Sequence, residues 1–339
     1  MKSYLVLCFL LISAIGFSQA NSQIKNADEQ RRALLVQAKD ASTVAAGTQS
    51  PAFQSQNWKL EAEQNPSNAS VWLNYYLWTS RDKNLNAFEK AARLSQIAKN
   101  AISKATHSSD YFLLQYLQSG KKDSVALNKA FDLSADKPTL YQYKIQYAII
   151  HNHKALIRKY SLELNALMPM PSVLHEYHYN VLMSADSNAI IYAQGLNDLV
   201  ALAVLQEVRN YRKDIELKYY DGSTVSETNA YLCLSLGADV LKKYPAAGYT
   251  GLLLKVSGAS KEELKRSINR FDLRIMQSDN DIPGNKAPVI YKNYLPSFLL
   301  LYKSLENAND SEAVEWKALI KKLAERTGDS EAVAKQLEN

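Results

Sequence analysis

The chain has 339 residues, of which 47% are hydrophobic and 22% are charged, with 40 Lys and Arg against 34 Asp and Glu. This is the composition of a folded globular protein of about two domains, and it excludes a disordered chain, a collagen-like repeat and a disulfide-rich scaffold. A multi-pass membrane protein is also excluded, because only one long apolar run is present. The basic residues form no extended cluster, so we expect no nucleic-acid partner.

The one apolar run lies at the N-terminus and is typical of a signal peptide. Lys2 precedes the uncharged segment Tyr4–Phe17, which is shorter than the roughly 20 residues of a membrane-spanning helix. Ser18 and Ala20 supply small residues before a cleavage site. We therefore predict a signal peptide over 1–20, a periplasmic or secreted protein, and no transmembrane segment after cleavage.

Cleavage at this site leaves Cys233 as the one cysteine of the mature chain, which cannot then form an internal disulfide. It lies in the apolar stretch Tyr231–Leu236. This setting favours a small buried side chain over a nucleophile.

The segment after the signal peptide is polar and rich in Ala, Gln and Ser. We predict a flexible tether over 21–54, with a short helix over Asp28–Lys39, and ordered structure from near Trp58. From 55 to 185 the apolar residues recur with helical spacing and the connections are short, which predicts paired helices. The predicted helices span 69–80, 85–105, 109–118, 123–134, 139–151, 153–167 and 173–184. In the second of these, the predicted apolar stripe consists of Leu85, Phe88, Ala92 and Ser95, with the small residues Ala91, Ala98 and Ala101 beside it.

Prolines that end inter-helix segments suggest a repeat. Pro138 lies 72 residues after Pro66, and Pro171 lies 33 residues after Pro138; these are about two periods and one period of a 34-residue repeat. Trp72 stands where such a repeat places its first large aromatic side chain. Residues 55–185 thus resemble degenerate tetratricopeptide-like repeats. A non-repeating helical bundle is the alternative.

After residue 185 the pattern changes to alternating strands and helices. Strands over 189–193 and 214–220 flank a helix over 199–211, which predicts a parallel strand pair. Thr224 and Glu227 form a capping-box pattern, which predicts a helix over 227–243. Further predicted elements are strands over 252–256 and 271–276 and a helix from Ser260 to Arg270.

The last part of the chain returns to helical spacing. Helices over 291–307 and 311–326 form a predicted hairpin, with Thr327 and Gly328 as a natural helix end. The predicted fold is mainly α: a helical-repeat domain over 55–185 with tetratricopeptide-like hairpins, a small inserted α/β module with parallel strands over 186–284, and a C-terminal helical hairpin over 285–339.

Residues 188–215 carry a second resemblance. The residues that carry it are Asn188, Ala189, Ile190, Ile191, Tyr192, Gly195, Asn197, Asp198, Leu202, Leu205, Gln206, Val208, Arg212, Asp214 and Ile215, with Tyr291, Asn293, Tyr294, Leu295 and Pro296 further on. Together they resemble the soluble C-terminal tail of bacterial protein O-mannosyltransferase-like membrane glycosyltransferases, over about 188–300.

The turn within this resemblance departs from the family pattern. Leu196 replaces an Asp, Leu199 a Thr, Ala201 a Pro and Ala203 a Trp. The multi-pass catalytic part of that family has no counterpart in this chain. The resemblance therefore implies a shared cell-envelope module and not a shared reaction.

Three groups of residues are candidates for a site. Gly195, Asn197 and Asp198 follow a predicted parallel strand, where α/β folds usually bind ligands. Tyrosine outnumbers phenylalanine by 21 to 8, and tyrosine is enriched at interfaces. The candidate partner-binding tyrosines are Tyr75, Tyr111, Tyr143 and Tyr147. The weak candidate metal ligands are His151, His153, His175 and His178; a buried His178 with surface histidines is the favoured interpretation, and no metal site is predicted.

These observations favour a non-catalytic scaffold or partner-binding protein of the cell envelope, which binds a protein or peptide on its helical-repeat surface and needs no cofactor. The alternative is a ligand-binding, hydrolytic or transferase-accessory protein that uses the cleft at Gly195–Asp198. A cleft lined by acidic or histidine side chains would favour the alternative. A cleft filled by Leu196 and Leu199 would favour the scaffold.

Overall fold

The computed structural model describes residues 50–278 and 290–338. The predicted signal peptide, the predicted helix over 28–39 and most of the predicted tether lie outside these residues. Within the two described ranges, no helix has both the length and the apolar character needed to cross a membrane.

The N-terminal part of the described chain is a series of eight helices. Each of the first six packs against the next one along the chain. Their bounds are α1 Pro51–Gln64, α2 Ala69–Arg81, α3 Ala87–Lys104, α4 Ser109–Gln118, α5 Ser124–Leu133, α6 Lys137–Ile150, α7 Lys154–Leu167 and α8 Ser172–Met183. Helix α1 begins seven residues before Trp58, where the sequence predicted ordered structure to start.

Polar side chains set where many of these helices begin. Asn68, Ser108, Asp123 and Asp136 each accept a hydrogen bond from a backbone N–H in the first turn of the helix that follows. Asn86 forms a capping box with the third residue of α3. The predicted bounds of these helices are correct to within two residues because the caps are local signals.

The predicted apolar stripe of α3 is wrong. Phe88 is 83% exposed, and Ala92 and Ser95 are also exposed. The buried residues of α3 are Ile97, Ala98 and Ala101. Helices α2 and α4 both contact α3, and burial follows the face that they cover.

The strands form one mixed sheet in the order β2-β1-β3-β5-β4. The strands are β1 Ile190–Ala193, β2 Glu216–Tyr219, β3 Ala230–Cys233, β4 Gly248–Tyr249 and β5 Leu253–Lys255. Helix α9, Asn197–Arg209, connects β1 to β2, and β1 is parallel to both β2 and β3. The parallel pair is as predicted, whereas β5 runs antiparallel to β3 and to β4.

The predicted helix over 227–243 is wrong. Residues 230–233 form β3, which is buried at every position, and only Leu234–Leu236 (a 3-10 turn) and α10, Ala238–Leu241, are helical after it. Glu227 does not cap a helix: its Oε1 accepts hydrogen bonds from Tyr192 Oη at 2.7 Å and Lys218 Nζ at 3.2 Å. Pairing of β3 with β1 overrides the local capping pattern, because it buries both faces of the segment.

The predicted strand over 271–276 is also wrong. After α11, Lys261–Ile268, the chain forms the short helix α12, Arg274–Gln277. The buried Glu176 carboxylate accepts hydrogen bonds from the N–H groups of Ile275 at 2.6 Å and Met276 at 3.0 Å. A residue about 100 positions away therefore starts this helix, which no local pattern reveals.

The described C-terminal residues form a helical hairpin, as predicted. It comprises the 3-10 turn Lys292–Tyr294 and the helices α13 Leu295–Asn307, α14 Glu312–Thr327 and α15 Ser330–Glu338. Helix α14 ends at Gly328, whose φ of +74° is left-handed. The hairpin shares one hydrophobic core with α9 and one face of the sheet, through buried residues such as Phe298, Tyr302 and Leu202.

An arginine joins the N-terminal helices to the sheet. The Arg212 guanidinium donates to the carbonyls of Leu182, Ala185 and Asp186 at 2.8–3.0 Å, and to both carboxylate oxygens of Asp214. Asp214 in turn accepts the N–H of Asn188 at 3.0 Å. The pair fixes the connection between α8 and β1 to the start of β2.

This ion pair predicts a pH-dependent contribution to stability. Hydrogen bonding from Arg212 lowers the pKa of Asp214 to about 2. A shift of this size is worth about 2–3 kcal/mol, reduced to about 1 kcal/mol by solvent at a side chain that is 33% exposed. The contribution is complete above the unfolded-state pKa of about 3.9 and is lost as the pH falls through the folded-state pKa.

We therefore expect Asp214→Asn to be about 1 kcal/mol less stable than the wild type near neutral pH, with a difference that shrinks from about pH 5 downward. Urea unfolding at a series of pH values measures it. Asp239→Asn, at an exposed position, is the control. A difference that stays constant with pH contradicts the prediction.

Candidate functional site

A groove of about 630 Å³ opens between α1, α2 and α3. This volume is within the range of ligand sites, about 300–1,000 Å³. The lining residues are Lys59, Ala62 and Glu63 from α1, Pro66 and Ser67 from the turn, Trp72 and Tyr75 from α2, and Arg93, Gln96, Ile97, Asn100 and Lys104 from α3.

One wall of the groove is aromatic. The ring centroids of Trp72 and Tyr75 are 6.5 Å apart, and the indole N–H of Trp72 donates to the Pro66 carbonyl at 2.9 Å. Burial raises the pKa of the Tyr75 hydroxyl, while Arg93 acts to lower it and Glu63 to raise it. Arg93 and Glu63 line the groove together with Tyr75.

The opposite wall is a polar stripe on α3. Arg93, Gln96, Asn100 and Lys104 recur at helical spacing, and Gln96 Nε2 donates to Asn100 Oδ1 at 2.9 Å. Among the residues that the structure describes, no carboxylate lies within ion-pair distance of Arg93 or Lys104. At the edge of the groove, Lys59 and Glu63 approach to 3.9 Å, with both side chains about half exposed.

This groove was not predicted from the sequence, although the sequence contains a signal for it. Leu94, Ile97, Ala98, Ala101 and Ala105 form a regular helical stripe. Choosing that stripe as the buried face would have placed the polar stripe beside it. Phe88, a large apolar residue, pointed to the wrong face.

Three of the four candidate tyrosines lie in a hydrophobic core and the fourth lies at its edge. Tyr75, Tyr111 and Tyr143 are buried in the core of the N-terminal helices, and Tyr147 is half-buried. Tyr75 lines the groove. The ring of Tyr111 lies 4.5 Å from that of His107, and the rings of Tyr143 and Tyr147 both lie near Tyr116.

The Gly195–Asp198 turn lies where the strand order reverses. Strand β1 has β2 on one side and β3 on the other, and all three are parallel, so the turn after β1 stands at the position where open α/β sheets bind ligands. Gly195 has a φ of +79°, a conformation that glycine adopts without strain. Asn197 is exposed.

Asp198 is buried and engaged. His178 Nε2 lies 3.1 Å from its Oδ1, and His178 Nδ1 lies 2.7 Å from the Leu174 carbonyl, so both ring nitrogens are within hydrogen-bond distance of a partner. Burial acts to raise the pKa of Asp198, but hydrogen bonds from His178 and Ser235 and the charge of His178 leave it below its usual value. The hydrogen bond between Asp198 and His178 thus links the first turn of α9 to α8.

Leucines fill the rest of this turn. Leu199 is fully buried, and Leu196 is half-buried and packs against both the core of the N-terminal helices and the core shared with the sheet. The turn thus has both features named from the sequence, an acidic and histidine pair, which is buried, and leucines that fill the space beside it.

The histidines occupy separate settings. His178 forms a hydrogen bond with Asp198, and the His175 ring lies 5.9 Å from that of Tyr211. The rings of His151 and His153 are 6.1 Å apart, with Tyr147 against the first of them. Across residues 50–278 and 290–338, no three His, Cys, Asp or Glu side chains are grouped so that they could hold a metal ion.

Cys233 is buried in β3, as predicted. Burial, with a smaller effect from the nearby Asp198 carboxylate, raises the pKa of its thiol well above the usual value. A thiol held in its protonated form is a poor nucleophile. The residue therefore serves to fill the core.

Comparisons with protein families, with curated proteins and with solved structures each gave no match.

Proposed function

We propose that this chain is a non-catalytic, partner-binding protein of the cell envelope, and that it binds its protein partner in the groove between α1, α2 and α3. The observation that carries the proposal is the groove itself, which is lined by two aromatic side chains and by Arg93 and Lys104, two cations without an ion-pair partner among the described residues. Concave surfaces of stacked helices are the usual binding surfaces of repeat proteins.

The second candidate site offers less. At the Gly195–Asp198 turn, the Asp198 carboxylate already has His178 as a hydrogen-bond partner. Leu196 and Leu199 occupy the space beside it. A reacting group needs a side chain whose proton or lone pair is available to a substrate. The turn therefore supports a structural role better than a catalytic one.

The cell-envelope location rests on the sequence. The N-terminal residues 1–20 have the charge, length and small-residue pattern of a signal peptide. The tetratricopeptide-like spacing over 55–185 and the resemblance over 188–300 are consistent with a binding module at that location.

A blocking substitution tests the proposal. The mature chain, from residue 21, is used as bait for an envelope extract, and bound proteins are identified by mass spectrometry. Gln96→Trp, which fills the groove from an exposed position, is expected to abolish binding of a stoichiometric partner. Ser95→Trp, an exposed position on the same helix outside the groove lining, is expected to retain it.

Binding that is equal for the two variants, or no stoichiometric partner for the wild type, contradicts the proposal. The helical content of both variants is compared by circular dichroism, so that loss of binding is not confused with unfolding.

A further inference from the structure

We infer that the ligand of the groove is an extended acidic peptide segment with two carboxylates about five residues apart. This inference rests on the proposed function, because it names the chemistry of the partner at the same site. It comes from the spacing and the pairing of the charges along α3.

The cations define the two ends of the ligand. Arg93 and Lys104 are eleven residues apart on one helix, which is about 16 Å along the axis at about 1.5 Å per residue. Neither has a carboxylate partner among the described residues. An extended peptide covers that axial distance in about five residues at about 3.3 Å each, so two of its carboxylates could each pair with one cation.

The orientation of the groove keeps both ends accessible to one ligand. Thr106, just after α3, donates its N–H to the Ser67 carbonyl at 3.0 Å, which ties the Lys104 end to the turn between α1 and α2. Arg93 lies eleven residues earlier on the same helix. Both cations line the one groove, from positions on α3 that are separated along the helix axis.

The groups between the cations suit a peptide backbone. Gln96 and Asn100 carry amides that both donate and accept hydrogen bonds, as backbone C=O and N–H groups require. Trp72 and Tyr75 face them from the other wall, and aromatic rings contact side-chain methylenes favourably.

One acidic residue shapes the specificity. Glu63 lines the groove near Lys59 and Tyr75, so it opposes a carboxylate placed beside it. We expect Glu63→Gln to strengthen binding of an acidic peptide by up to fivefold, in line with one exposed charge pair.

Short fluorescein-labelled peptides test the inference by fluorescence anisotropy on the mature chain. The first probe has two glutamates about five residues apart with tyrosine and leucine between them, the second has glutamines in their place, and the third has the two glutamates adjacent. We expect the first to bind about tenfold more tightly than the second and more tightly than the third, with affinity falling as salt increases.

Arg93→Gln combined with Lys104→Gln is expected to weaken binding of the first probe about tenfold. Lys242→Gln with Lys243→Gln, which removes two exposed charges from the α/β module, is the matched control and should leave the affinity unchanged. Equal affinity for the glutamate and glutamine probes, or an unchanged affinity for the Arg93 and Lys104 double variant, overturns the inference.

The same variants separate this inference from the proposed function. If the envelope partner is lost with Gln96→Trp but retained by the Arg93 and Lys104 double variant, the groove binds a partner and the acidic ligand is refuted. Suppose instead that the first probe binds more tightly than the other two, but Gln96→Trp abolishes the binding of no envelope protein. The proposed function is then refuted, while the inference that the groove binds an acidic peptide is supported.

Discussion

Arg212→Met is expected to lower the free energy of unfolding by about 3–5 kcal/mol, the range found when one partner of a buried charged network is removed. The Arg212 side chain is only 15% exposed. Its loss removes hydrogen bonds to three carbonyls, those of Leu182, Ala185 and Asp186, and a hydrogen bond from a charged group contributes about 1.5–3 kcal/mol. Urea unfolding followed by circular dichroism measures the change.

Arg274→Met provides a matched control. Arg274 also pairs with an aspartate two residues away, with 2.7 Å between its Nη2 and Asp272 Oδ2, but its side chain is 87% exposed. An exposed ion pair contributes about 0–1 kcal/mol. If both variants lose the same stability, the ion pairs alone matter and the carbonyl contacts of Arg212 do not.

Phe298→Ala is expected to lower the free energy of unfolding by about 3–5 kcal/mol, since it removes a buried aromatic ring and leaves a cavity. Phe298 is fully buried on α13. Its ring lies 5.4 Å from that of Tyr294 and 5.0 Å from that of Trp316, so the substitution weakens the contact between the hairpin helices and the turn before them. The midpoint of urea unfolding should fall with it.

Phe88→Ala is the control for this substitution. Phe88 has the same side chain on another helix, but it is 83% exposed, so its removal should change stability by less than about 0.5 kcal/mol. A large loss for Phe88→Ala would mean that its burial is wrongly assigned and that the stripe predicted from the sequence is correct.

The sequence determined the helices well where local groups specify them. Helical spacing of apolar residues and the short connections between them predicted seven N-terminal helices and their ends, and the structure shows side-chain caps such as Asn68 and Asp136 at those ends. Gly328 likewise ended α14 where expected. Caps and glycine conformations act within one turn of the backbone, so they can be identified without knowledge of the tertiary structure.

The structure shows the contacts of several residues that carry the resemblance over 188–215. Arg212 and Asp214 hold the α8–β1 connection, and Gln206 Nε2 donates to the Arg212 and Ile215 carbonyls at 2.8 and 2.9 Å. Asp198, a candidate ligand group by sequence, proves to be the partner of His178. The pattern marked these positions, but not what they contact.

Tertiary structure alone decided the elements whose local signals conflict with distant contacts. Glu227 resembles a capping residue yet joins β1 and β2 through Tyr192 and Lys218, and Glu176 starts α12 from far along the chain. The groove has the same origin, because the polar face of α3 becomes a wall only when α1 and α2 pack around it. Local sequence sets backbone conformation through short-range hydrogen bonds and sterics, whereas the face that is buried or left open depends on which other elements remove it from water.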